Sequence, residues 1–186
     1  VLKKLGYLVV ISLLVISVLA GCQEEQAAEE GKELGVGTVV GNDPVVKIAE
    51  ETDMMNLTSV EQDLYKEFKK KYDDQVLKEA DPITITKLYL HASQTKDFVT
   101  QYELYIDDPE QVAWSKDEHL KQAKKRDEAT EQKLFDHFKQ IKVAKFYEVD
   151  ENSGYIEVPL QGEEVGSFQL RKNQAGIWKV KFKPME

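Results

Sequence analysis

Three histidines, His91, His119 and His137, and a single cysteine, Cys22, are the side chains of this 186-residue chain best suited to hold a metal or attack a substrate. Their spacing argues against both. A zinc site needs its donors within reach of one ion, and no two histidines stand three or four residues apart. His119 and His137 are 18 residues apart. On one helix they would share a face yet lie about 27 Å from each other, at ~1.5 Å per residue. Surface or capping roles are the ordinary reading of each histidine. His137, between Phe135 and Phe138, is the best single choice for a buried polar role. One cysteine makes no intrachain disulfide and no zinc-binding pair. No metal or cofactor is therefore expected. Acidic residues cluster at Asp107-Asp108-Glu110, Asp117-Glu118 and Glu148-Asp150-Glu151. The run Asp150-Glu151-Asn152-Ser153-Gly154 contains part of a calcium-loop pattern, but its glycine comes one place early. It also falls where a hairpin turn is needed. The chain carries no phosphate loop, nucleophile elbow or dinucleotide fingerprint.

Cys22 gains meaning from what precedes it. Lys3 and Lys4 are the only charges before Glu24, and an apolar stretch runs from Leu5 to Ala20. A positive start, an apolar run and small residues before a cut form the layout of a secretory signal. The run is shorter than the about 20 residues of a permanent membrane span. The ending Leu19-Ala20-Gly21-Cys22 resembles the bacterial lipobox. That resemblance implies a signal peptide over 1–21, cleavage before Cys22 and lipidation of its thiol. The chain would then be held on the extracytoplasmic face of the cell membrane. Two or three fatty chains give durable anchoring at ~0.8 kcal/mol per buried methylene.

Composition limits the partners. The formal charge is −9, and removing 1–21 takes away two lysines and no acids. Such a surface binds nucleic acid poorly, because phosphate contacts need clustered Lys and Arg. It is also repelled by anionic headgroups, so the lipid on Cys22 rather than the protein surface should hold the membrane.

The elements that must position any site follow from periodicity. Residues 22–56 read as an acidic, flexible tether, with a short apolar patch at Val45–Ile48 that reads as either a strand or an entry segment. A single domain is expected over 57–186. Thr58 with Glu61 and Ser59 with Gln62 offer two overlapping capping boxes, and Val60, Leu64, Phe68 and Tyr72 fall four apart, which predicts a helix over 60–79. Asp81-Pro82 opens a second helix, with Ile85, Leu88, Tyr89 and Ala92 on its apolar face. A short helix over 97–105 follows. Ser115 with Glu118 opens a long helix to about residue 140. From Lys142 the period becomes two, and four strands are expected, with turns at 151–154 and 173–176. In the last strand Trp178, Val180 and Phe182 should face the core, while Lys179, Lys181 and Lys183 face water. The result is an α+β domain with N-terminal helices packed on a curved antiparallel sheet of about four strands.

The stretch DPITITKLYLHASQTKDFVTQYELY, with Leu88, Tyr89, Ala92 and Asp97, and the terminal IWKVKF resemble the NTF2-like, or cystatin-like cone, superfamily. The resemblance covers about 82–184. It departs in the extra helix at 60–79 and in the weak strand QVAW at 111–114. It implies a cone whose pocket would be lined by Tyr89, Tyr102, Tyr105, Trp178, Val180 and Phe182. Aromatics at such spacing are first of all packing residues, so the same set also reads as a filled core. Lipoproteins of Gram-positive bacteria often carry such domains. A binding module for a small amphipathic ligand or an envelope protein is the expected function. The alternative is an enzyme that uses the cavity for acid–base chemistry on a small molecule. By the resemblance, Asp97, Tyr102 and His137 would then carry the proton transfer.

Overall fold

Capping residues start the helices where the sequence signals place them. The structure, a computed structural model, describes residues 44–185. The signal segment and residues 22–43 of the expected tether, Cys22 among them, lie outside the described residues. Helix α1 (Ser59–Lys71) begins at Thr58, whose backbone N–H donates to Glu61 Oε2 at 2.6 Å while its hydroxyl accepts from the Glu61 N–H. Helix α2 (Pro82–Gln94) begins at Asp81, whose carboxylate accepts from the Thr84 N–H at 2.8 Å. Asp97 caps the short helix α3 (Phe98–Glu103). Each such cap contributes about 1 kcal/mol.

The ends of the helices differ from expectation. Helix α1 stops eight residues short of the expected end, because Tyr72 turns left-handed (φ 55°) and its N–H closes on the Phe68 carbonyl. A single 3₁₀ turn, Asp74–Leu77, follows under its own cap, Asp73. The inward face of α1 is Tyr65 and Phe68, and Val60 is exposed. The long helix expected over 115–140 is two helices, α4 (Lys116–Ala123) and α5 (Glu128–Lys139). Asp127 caps α5 by accepting from the Ala129 and Thr130 N–H groups, and so breaks the run. His119 and His137 therefore belong to different helices.

The sheet has five strands rather than four. Strand β1 (Val45–Glu51) lies in the segment read as tether and pairs antiparallel with β2 (Val143–Asp150). β3 (Ser153–Pro159), β4 (Val165–Lys172) and β5 (Trp178–Met185) follow as an antiparallel meander. The turns fall as expected. Asp150 accepts from the Asn152 N–H and the Ser153 hydroxyl, so its carboxylate serves the hairpin. Gly176 adopts φ 77° in the second turn, a conformation that favours glycine. Residues 111–114 form no strand.

One sheet face carries Ala144, Phe146, Ile156, Val158, Phe168, Leu170 and Val180, all buried. Helix α2 packs over β2 and β5, and α5 over β3. Helix α2 is buried nearly all round, including Ile83, Thr86, Lys87 and Leu90 beyond the expected stripe, as a helix apolar on most sides must be. The free edge of β5 is covered by the chain after α3. The Ile106 N–H donates to the Val180 carbonyl, and the Val180 N–H to the Leu104 carbonyl, both at 2.9 Å. This leaves no open ladder on that edge around Val180.

Candidate functional site

Five of the six side chains expected in a pocket converge at the β5 end of the interior. The Tyr89 and Tyr105 hydroxyls are hydrogen-bonded at 2.8 Å in a buried setting. Phe182 stacks on Tyr105 with ring centroids 4.6 Å apart, and Trp114 meets Phe182 edge-on at 4.8 Å. Tyr102 lies against both Tyr105 and Phe182. Val180 joins them through its bridge to Tyr105. The rings fill this space with one another. Offset and edge-to-face pairs of this kind each add about 0.5–1.5 kcal/mol beyond their buried area. Trp178 is not among them. It stands elsewhere on β5 against Phe146, at 5.1 Å, with the Lys172 ammonium 4.8 Å from its ring centroid.

Asp97, Tyr102 and His137 are not brought together: among the described residues no hydrogen bond or ring contact joins any two of them. Asp97 ties α3 to α1. Its Oδ2 accepts from the Tyr65 hydroxyl at 2.9 Å, the Lys69 ammonium at 2.6 Å and the Thr100 hydroxyl at 2.9 Å. Burial pushes its carboxyl pKa up, but the bonds from Lys69, Thr100 and Tyr65 outweigh it and hold it below the ordinary value. Tyr102 donates to the Trp114 carbonyl at 3.3 Å. Burial, then the charge of Glu103, raises its phenol pKa. His137 sits in the last turn of α5, with Nδ1 buried and without a partner.

The histidine at the aromatic cluster is instead His119. It is 1% exposed, its ring 5.6 Å from those of both Tyr102 and Tyr105. Burial, then the positive charge of Arg126, lowers its pKa to about 4, against a smaller upward pull from the Phe98 carbonyl. It is therefore a neutral imidazole at pH 7, and its Nε2 has no partner, nor has the indole N–H of Trp114. The legible signal was the Ser115–Glu118 box, which begins α4 and fixes His119 one turn inside it.

Outside this cluster lies a cleft of about 220 Å³, lined by Tyr72, Tyr102 and Phe182 together with Asp74, Glu103 and Lys179. Lys179 departs from the expected wet face: it is 1% exposed. Its ammonium donates to Asp74 Oδ1 and to the Glu103 carbonyl, both at 2.6 Å, and lies 5.6 Å from the Phe68 ring centroid. Asn173 donates to the other Asp74 oxygen at 3.0 Å. At the rim, Lys116 donates to Glu103 Oε1 at 2.6 Å and stands 5.5 Å from the Tyr72 ring centroid.

The chain matches no family model, no curated protein and no solved structure.

The charged and phenolic groups of the cleft are held in defined protonation states. The bond to Glu103 raises the Lys116 pKa, so its nitrogen is a cation and not a free amine. Tyr102 keeps its proton at pH 7 for the reasons above. Among the described residues no group of three or more His, Cys, Asp or Glu could hold a metal ion, and no helix is long and apolar enough to cross a membrane.

Proposed function

We propose that this chain is a lipid-anchored, extracytoplasmic binding module of the cell envelope, built on an NTF2-like cone, and that it takes a small amphipathic ligand in the cleft between Tyr72 and Phe182. The cleft carries the reading. It joins aromatic walls to fixed charges, the combination by which small-molecule sites bind and orient a ligand. The aromatic interior behind it is occupied by its own rings, so the ligand meets the domain at its surface-accessible end. Lipidation of Cys22 would keep that cleft at the membrane, joined to the domain by an acidic tether.

Native mass spectrometry of the full chain, purified gently from its own host, tests the reading. A reproducible small-molecule adduct is expected, and Tyr102→Ala should lose it. A bare monomer for both proteins contradicts ligand binding, and a co-purified protein replaces the small ligand with an envelope partner. Cys22→Ala should abolish lipid labelling and membrane fractionation. Full membrane partitioning of that variant contradicts the lipid anchor.

A further inference from the structure

We infer that the ligand of this cleft is an organic ammonium ion, and that Lys116 marks the position its charged group takes. The inference rests on the binding reading above and adds the chemical class.

The charge balance of the lining comes first. Asp74, Glu103 and Asp107 place three carboxylates on the cleft, against a single ammonium, that of Lys179. Lys179 is already committed to Asp74 and to the Glu103 backbone. Nothing in the lining itself neutralises the Glu103 side chain. With three carboxylates against one committed ammonium, the lining is net negative, which disfavours an anionic ligand.

The second observation is what does neutralise Glu103. The ammonium of Lys116, reaching in from the first turn of α4, sits between its carboxylate and the ring of Tyr72. A carboxylate on one side and an aromatic face on the other is the arrangement that recognises primary and quaternary ammonium groups. Both Glu103 and Tyr72 line the cleft, so the protein's own lysine shows that the pair accepts a cation. The two lysines differ in what they can do. Lys179 has 1% of its side chain exposed and is fixed. Lys116 has 40% exposed, and its four-carbon stem can swing into water and yield the position. Tyr102 and Phe182 extend the aromatic surface inward, where the apolar part of an amine would lie. Lys116 therefore acts as a competitor that sets affinity: it must be displaced before an external ammonium pairs with Glu103.

Calorimetric titration of the full chain in dodecylmaltoside micelles tests this. The probes are butylammonium and tetramethylammonium, with butanol and butyrate as neutral and anionic controls. The ammonium probes should bind, and the controls should not. Lys116→Met, which keeps the stem and removes the competing charge, should tighten butylammonium binding by about fivefold. Glu103→Gln should weaken it by about tenfold. Both variants should keep the wild-type circular dichroism spectrum, because Glu103 and Lys116 are partly exposed. Ammonium binding unchanged by either variant overturns the inference, and so does the absence of ammonium binding. If butanol or butyrate binds instead and Tyr102→Ala abolishes it, the cleft still binds ligands and only the ammonium class falls. If no probe binds and the host-purified chain carries no adduct, the binding reading falls with it.

Discussion

Removing the two partners of the Lys179–Asp74 pair one at a time should give unequal costs. Lys179 is 1% exposed and Asp74 has 22% of its side chain exposed, so the two charges are not equally cut off from water. Asp74→Ala leaves a buried ammonium with the Glu103 carbonyl as its remaining hydrogen-bond acceptor. Breaking one side of a buried pair costs about 3–5 kcal/mol. The retained carbonyl places this case near the lower end, at ~3 kcal/mol. Lys179→Met keeps the buried stem and removes the charge. Asp74 is then left to Asn173 and to water, at a cost of about 1 kcal/mol or less. Urea unfolding followed by circular dichroism, with a common m-value, measures both. The expected order is a large loss for Asp74→Ala and a small one for Lys179→Met. Equal losses, or the reverse order, would refute the claim that Lys179 is the desolvated member of the pair.

Two further outcomes follow from buried groups. The His119 pKa, about 4 when folded against ~6.5 when unfolded, makes the unfolded chain bind more protons between those values. Stability should therefore be fully present above pH 6.5 and fall as pH drops toward 4, by up to ~3 kcal/mol. His119→Phe should flatten that limb in pH-dependent urea titrations, and an unchanged limb contradicts the neutral, buried assignment. Gly154→Ala should cost about 2–3 kcal/mol in thermal unfolding, because a Cβ there would lie 2.3 Å from the Phe146 ring and 2.4 Å from the Tyr147 carbonyl oxygen. Adding Phe146→Leu should recover part of the loss, and strict additivity of the two would contradict the contact.

What could be read from the sequence was local. The caps at Thr58, Asp81 and Ser115 and the turns at 151–154 and 173–176 depend on residues three or four apart, and each stands where its residues place it. The apolar alternation of β5 also put Val180 and Phe182 inside. Two misses are local, the left-handed stop at Tyr72 and the Asp127 cap that splits the expected long helix; the others are long-range. β1 shows no alternation because most of it is exposed, and it is a strand only by pairing with β2, almost a hundred residues later. Lys179 looks like a wet-face lysine within its own strand. It is buried because Asp74, 105 residues away, and the end of α3 close over it. His137 appeared the better buried histidine because phenylalanines flank it in sequence. The break at Asp127 makes α5 a separate helix, and it is His119 on α4 whose ring lies against Tyr102 and Tyr105. The resemblance names Asp97 as a candidate acid, and the structure gives it a bonding role. Its short side chain ahead of α3 made it a cap, and Tyr65 and Lys69 from α1 completed its bonding.

The central claim is that the ligand sits in the outer cleft and not within the aromatic interior. A crystal structure of the full chain, purified from its own host with the bound molecule retained, tests it most directly. The account predicts density between Tyr72 and Phe182, with an ammonium group against Glu103 and the Lys116 side chain turned into solvent. Density separating Tyr105 from Phe182, or parting the Tyr89–Tyr105 hydrogen bond, would contradict it.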